Sequence, residues 1–473
     1  MGTINSALGL VSQALNADQQ ALNIVANNVA NANTPGYTRE TPNWRENQPI
    51  YVGGVSIGQG VTETGSTSER DRVLESRLYQ QQQLASSSGS RLTALNTLQA
   101  LFMPDSGTSS SRAGDIGSDL TNLFNSFSSL EANPTDNALR QSVLSTAGML
   151  AGDISNASAS LTSQRAALDQ ETAGVTSQVN SLTGAIAQLN QQIQTISPNA
   201  DAGTLEDQRQ QDLSKLSQLI GINQITTENN GLAITTTSGQ LLLSGGTSNQ
   251  LTTGMVNGVT NFFLGNTDIT SQLAAGGGSL GGYLTARDGD IPSTLNSLDQ
   301  LAYSISTAVN TQNNAGTNLD GETGTAANPL YIFSQPTIVA GSASHMSVVM
   351  TDPNQIAAAS LGYGTGDNSN AAAMAAMANQ SIVNGQTPTN YYSNFVTTLG
   401  STVSGVQTEN TALNASVTQL QSQNNALSGV NLNDEASTLT TFERSYQAAS
   451  QVFAILNRIM SSALNLGEQT TVS

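Results

Sequence analysis

The chain of 473 residues is 37% hydrophobic, enough for several modest cores, but only 10% charged, and 195 of its residues are Ser, Thr, Asn or Gln. A net charge of -19, from 33 acids against 14 basic residues, repels phosphate backbones and argues against nucleic-acid binding. There is no cysteine for thiolate chemistry, disulfides or cysteine-ligated metal, and any triad or histidine-bound zinc would have to rest on His345 alone, so the expectation is no enzyme, no cofactor and no metal.

No basic residue precedes Arg39 and no unbroken apolar core opens the chain, so the first segment does not read as a cleaved signal peptide. No stretch approaches the ~18 apolar residues of a bilayer span, so membrane insertion is not expected. Ile4, Leu8, Val11, Leu15, Asp18, Leu22, Val25 and Val29 alternate steps of four and three, which predicts a helix with a coiled-coil seam. Asp18 is the single charge before Arg39, so the outward positions are neutral where a solvated helix would carry ion pairs. Pro35-Gly36 ends the helix, because Pro lacks a donor and Gly permits the turn. The cluster Glu69, Arg70, Asp71, Arg72, Glu75 and Arg77 reads as a solvated helix face or as a register-setting contact between subunits.

Further along, Val175, Val179, Leu182, Ile186, Leu189, Ile193 and Ile196 form an unbroken seam. Between residues 222 and 264, alternating apolar positions are punctuated by Asn229-Asn230-Gly231, Ser238-Gly239 and Ser244-Gly245-Gly246, which read as hairpin turns. Gly276, Gly278 and Gly281 match the dinucleotide fingerprint, but without a βαβ context they read as a glycine-rich turn. Leu295, Leu298, Leu301, Ile305 and Val309 predict a helix, and residues 329–352 a second set of strands at Ile338-Val339 and Val348-Val349-Met350. The oxygen-rich segments Asp320-x-Glu322 and 367–370 lack EF-hand spacing and read as turns. Leu399, Val403, Val406, Asn410, Leu413, Val417, Leu420, Asn424 and Leu427 give another seam, with two asparagines able to fix register. The chain closes with Leu439, Phe442, Tyr446, Ala449, Phe453, Leu456, Met460 and Ala463, which matches the first seam in reach and predicts an antiparallel terminal pair. The uncharged back face of the first helix suits packing against further copies of the same chain.

Asn27, Asn28, Asn31, Thr34, Gly36 and Tyr37, within residues 27–39, resemble the signature that ends the N-terminal helix of the flagellar axial proteins, the family of rod, hook and hook-associated proteins. Gly429, Val430, Asn431 and Glu435, followed by Phe442, Tyr446, Gln447 and Ala448, are similar to that family's C-terminal motif. Asn433 and Phe442-Glu443 depart from it. Ordered segments between the two motifs, at 123–126, 133–141, 205–209, 280–288, 298–302, 318–321 and 366–371, narrow the resemblance to the hook-associated protein 1 group.

The combined expectation is a mainly α fold with an inserted β-domain (α+β). A terminal coiled-coil assembly domain takes residues 1–60 with 430–473, a helical bundle 61–220 with 276–320 and 370–429, and a β-rich outer domain 221–275 with 321–369. The resemblance implies a structural junction between flagellar hook and filament, built by helical self-assembly. Its implied partners are further copies of the chain, the hook protein, the second junction protein (hook-associated protein 3), and an export chaperone on the C-terminal helix. It also implies an extracellular, secreted location reached without a cleaved signal, and terminal segments that order on assembly. A rod or hook subunit is the alternative, and an adhesin-like or enzymatic outer domain a more distant one.

Overall fold

The computed structural model describes residues 2–52, 55–102, 116–197 and 201–469; residues 470–473, placed above in the terminal assembly domain, lie outside the described residues. The chain begins with α1 (Gly2–Asn31). It then turns at Gly36, with φ 76°, into an antiparallel arm of β1 (Glu40–Glu46) and β4 (Val61–Ser68), tipped by a short hairpin of β2 (Ile50–Val52) and β3 (Val55–Ile57). No strands were expected here. The sequence of β4, VTETGSTS, is half-exposed or exposed throughout, so it has no apolar alternation to read.

Four helices follow: α2 (Arg72–Phe102), α3 (Ile116–Ala132), α4 (Asn137–Ile196) and α5 (Thr204–Leu219). Asp136 caps α4 by accepting from Ala138 N at 2.7 Å. The 60 residues of α4 span about 90 Å, long enough to serve two cores. Next come two small antiparallel sheets. One is β5 (Ile222–Thr226), β6 (Leu232–Thr236), β7 (Leu241–Ser244) and β8 (Thr247–Ser248) in sequential order. The other is β9 (Leu251–Val256), β10 (Val259–Leu264) and β11 (Thr267–Asp268). The turns fall where Asn and Gly allow them: Asn229, Asn230, Gly239 and Gly245 all take positive φ. Beyond the sheets lie α6 (Thr270–Gly276), α7 (Gly278–Thr285), a π-helical turn at Ala286–Asp290 and α8 (Ile291–Ala315). The remaining helices are α9 (Ser369–Ala376), α10 (Pro388–Ser428) and α11 (Leu432–Gln469).

Both cores draw on α4. Its first half buries Leu150, Ile154 and Leu161 with Leu120, Phe127, Leu298 and Ile305. Its second half buries Val175, Val179 and Ile186 against Leu213 of α5 and Ile234, Leu243 and Phe262 of the sheets. The seam at 175–196 therefore meets sheets and a short helix rather than a second long helix, and it runs out at exposed Ile196. The expected second strand set at 329–352 is a correction: the stretch is largely irregular, with one isolated bridge between Phe333 and Val348. Side-chain amides replace the missing ladder. Asn310 donates to Phe333 O at 2.8 Å and accepts from Ile332 and Phe333 N, and Asn313 donates to Leu330 O and accepts from Ala357 N. With its backbone satisfied in this way, the stretch inserts Ile332, Phe333 and Met346 into the first core, among helices rather than with the sheets.

Candidate assembly site

The two ends of the chain pack together as an antiparallel pair, with Asn28 near the end of α1 meeting Glu435 in the first turn of α11. On α11, Leu439, Phe442, Phe453, Leu456 and Met460 are half-buried and Tyr446 is exposed. On α1, Ile4, Leu8, Val11, Leu15 and Leu22 are half-buried and Val25 is buried, but Val29 is 43% exposed. The deepest line of α1 instead passes through Ala17, Asp18, Ala21, Val25 and Asn28. The cause is a second neighbour: the β1/β4 arm folds back along α1, with Asn47 donating to Gln13 at 3.3 Å. Covered on two sides, α1 turns its small residues inward.

The motif residues converge on Asn28. Its side-chain NH2 donates to Glu40 O at 2.8 Å and Glu435 Oε2 at 3.1 Å, while its Oδ1 accepts from Glu40 N at 3.0 Å and the Tyr37 hydroxyl at 2.8 Å. All four hydrogen-bonding positions of the amide are thus used in a buried place. Asn31 donates to Asn27 and accepts from Thr34, which fixes the turn. A side chain at Gly36 would strike Gln211. Asn431 Oδ1 accepts from Asn433 N at 3.0 Å, which starts α11. Gly429 closes α10, and a Cβ there would meet the Asn425 carbonyl; Val430 is half-buried in the connector.

A joint of buried charge links this pair to the body. Glu435 also accepts from Arg39 at 2.6 Å, and Arg39 reaches Glu69 at 3.1 Å. Arg70 pairs with Asp207 of α5 at 2.6 Å, and Asp207 accepts from Thr38 N at 3.2 Å. Asp201 accepts from Ser68 N at 2.6 Å and Gly203 N at 2.9 Å. Burial pushes the Glu75 carboxyl up to about 7, against the opposing pull of Arg70 and Arg72, and burial followed by the charge of Glu40 raises Tyr37. Of the cluster at 69–77, Glu69, Asp71, Arg72 and Arg77 are exposed, whereas Arg70 is held by Asp207 and Glu75 is buried. Sequence reasoning missed Glu40 and Asp201, and held Arg39 and Asp207 only within the family-like segments 27–39 and 205–209. The one signal of Glu40 and Asp201 was their charge, scarce in this chain.

The other motifs resolve as packing or turns. Gly276, Gly278 and Gly281 lie between and within α6 and α7, so a helix and not a strand leads into them, and neighbouring Gly282 lets α7 approach the Ser87 carbonyl of α2. Asp367, just before α9, accepts from Ser360 N at 2.8 Å and from Ser369 N at 3.3 Å, and Glu322 closes a turn with Asn318. His345 is exposed and bonds Gly341 O and the Ser344 hydroxyl. Among the described residues, no group of three or more His, Cys, Asp or Glu could hold a metal, and no helix is long and apolar enough to cross a membrane.

Comparison with known proteins bears on this geometry directly. The model of the flagellar hook-associated protein FlgK helical domain matches residues 105–327, and that of the flagella basal body rod protein matches residues 11–38, the end of α1 and its turn. Flagellar hook-associated protein 1 of Escherichia coli (strain K12) is 25% identical, over 98% of this chain and 100% of its own length. The protein of that name from Bacillus subtilis (strain 168) is 26% identical, over 96% of each. The chain belongs to the flagellar hook-associated protein 1 family. The flagellar hook junction protein FlgK from Burkholderia pseudomallei shares the fold, with a TM-score of 0.65 at 19% identity over 75% of this chain and 100% of that one. As a hook-associated protein 1 family member, the chain is a structural component of the flagellum with a mainly α fold and small inserted sheets.

Proposed function

We propose that this chain is a junction subunit that joins hook to filament by helical self-assembly. The observation that carries the reading is a second apolar stripe on α11. Val452, Ile455 and Ile459 stand one residue before the seam positions Phe453, Leu456 and Met460, about 100° around the helix, and are 45%, 55% and 48% exposed. Apolar residues repeating along one helix face call for a partner face. The neutral outer positions of α1 allow identical helices to stack without like-charge repulsion. Repeated head-to-tail contacts that do not close build a tube, and a thin layer of such subunits accommodates a mismatch between two tubes.

In this reading, the assembly seam is Ile4, Leu8, Val11, Leu15, Leu22 and Val25 with Leu439, Phe442, Phe453, Leu456 and Met460. The contacts are with further copies, with the hook protein on one side and with hook-associated protein 3 on the other. An export chaperone holds the C-terminal helix beforehand, and the subunit leaves the cell without a cleaved signal. The test is Val452→Asp with Ile455→Asp in labelled flagella. The expected result is loss of the thin band between hook and filament while the isolated body stays folded. A normal band would overturn the stripe as an interface, and signal along the hook would transfer the chain to the rod or hook subunits.

A further inference from the structure

The joint holds more acid than base, and each acid but one is answered. Arg39 takes Glu69 and Glu435, Arg70 takes Asp207, and Arg72 and Arg209 share Glu206 at 3.7 and 4.0 Å. Asp201 accepts from Ser68 and Gly203, and Glu40 accepts from the Ser66 hydroxyl at 2.9 Å. Among the described residues, no ion pair or side-chain hydrogen bond reaches the Glu75 carboxyl, which is 7% exposed and has Oε2 without a partner. A bare carboxylate is costly in such a place, and a neutral carboxylic acid far less so.

Glu75 faces a cavity of 360 Å³ where the terminal pair meets the body, walled by the turn after α1, by α2, by α5 and by the end of α10. The charged and titratable groups around it are Arg70, Arg72 and Tyr79 on its own segment, Glu206, Asp207, Arg209 and Lys215 on α5, and Tyr37 on the turn. The α10 wall adds only neutral Asn, Gln, Ser and Gly. Burial pushes the carboxyl up most strongly; Arg70 and Arg72 pull it down, Asp207 and Glu206 push it up again, and it comes to about 7. Arg70 Nε and Nη1 also lack a partner, yet Glu75 takes neither.

We infer that the joint is a proton-operated latch: with Glu75 neutral, the turn after α1 and the end of α10 close over it, and when Glu75 ionises, water enters the cavity and the two part. The bonds that would break are specific ones. Arg39 N–H donates to Ser428 O at 2.9 Å, and Thr38 N–H donates to Asp207 at 3.2 Å. The cavity has room for several waters at about 30 Å³ each. The carboxyl in the closed joint stands above the 4.5 of a solvated one, so the closed form is favoured at low pH and loses that advantage as pH climbs to about 7. Above that, the carboxyl is ionised whether the joint is open or closed, and nothing further changes.

Amide exchange of the full chain is followed in the peptides that carry Thr38 and Arg39, in steps from about pH 5 to about pH 8, and each rate is divided by that of Glu75→Gln at the same pH. The division cancels the intrinsic pH dependence of exchange and the titration of Glu40, Asp201 and the other groups that both chains share. The ratio is expected to rise ~10-fold or more, most of it by about pH 7, and then to level off. Should Glu75→Gln disturb the circular dichroism of the chain, Glu75→Met is the uncharged reference. A ratio independent of pH overturns the latch, since the carboxyl then titrates alike in the open and closed joint. A ratio that falls as pH rises overturns it too, by making the carboxylate the form that the closed joint holds, on the free N–H groups of Arg70.

Discussion

The same stepping of apolar residues runs through the second half of α4 and through α11, and it ends in opposite ways. In α4, Val175, Val179 and Ile186 are sealed beneath sheets and α5. In α11, the positions from Leu439 to Met460 are at best half-buried, and among the described residues Glu435 is the one side chain of the helix that is fully buried. What differs is the surface opposite: two sheets and a helix in the first case, α1 with the ring of Trp44 against Phe442 in the second. Heptad spacing specifies a face and leaves open what covers it. Between these regions Arg39, Arg70 and Arg72 meet Glu435, Asp207 and Glu206, while α1 carries the single charge of Asp18.

The contrast breaks most visibly in the body. Leu298→Ala removes a buried side chain from the first core and should cost about 2–5 kcal/mol in denaturant unfolding. Leu456→Ala, on the half-buried seam, should cost less than about 1.5 kcal/mol, because less apolar area leaves water there. Equal losses would mean that α11 is packed as firmly as the body.

Next is the joint. Glu435→Gln removes the charge that Arg39 holds at 2.6 Å. A charge-assisted bond of this kind contributes about 1.5–3 kcal/mol, so amide exchange in α1 and α11 should quicken ~10-fold or more while the amides of α3 and α4 keep their rates. Quickening throughout the chain would show that pair and body open as one unit.

A smaller effect is expected from pH. Burial pushes the Asp201 carboxyl up, but the bonds from the Ser68 hydroxyl and N–H and from Gly203 N–H outweigh it and hold the group below its ordinary 3.8. A carboxyl with a depressed folded value stabilises the protein above its unfolded value and loses that contribution as pH falls through the folded one. Asp201→Asn should therefore narrow the gap between thermal midpoints measured at pH 6 and near pH 3. An unchanged gap assigns the acid sensitivity elsewhere.

The helical frame was legible because long apolar periods survive in the sequence, and α11 packs along the line its spacing marks. The arm at residues 40–68 was not, since its two longer strands carry few apolar residues and no alternation, and its cover over α1 is why burial there shifts toward Ala17, Ala21 and Asn28 and leaves Val29 outside. The irregular stretch at 329–352 resembled strands because its apolar residues are buried in short runs, while the amides of Asn310 and Asn313 that make burial tolerable sit on a different element. The joint was the least legible part. Arg39, Arg70, Asp207 and Glu435 lie far apart in sequence, and no local spacing relates them. The amide of Asn28 was singled out through family resemblance; its four hydrogen bonds supply the chemical reason.

The smallest effect on the isolated chain is expected where the effect on assembly is large. Ile455→Ser exchanges an exposed apolar side chain for a small polar one, so unfolding of the monomer should change by no more than about 0.5 kcal/mol. In a tube, the same substitution recurs at every subunit contact, and each copy loses apolar burial against its neighbour. Self-association, followed by sedimentation across a concentration series, should shift to higher concentration or disappear. A monomer destabilised by more than about 1.5 kcal/mol would place Ile455 in an intramolecular contact that the exposed stripe does not show. A monomer and an assembly both unchanged would leave the seam with α1 as the sole use of α11, and the likeness between its spacing and that of α4 would then be complete.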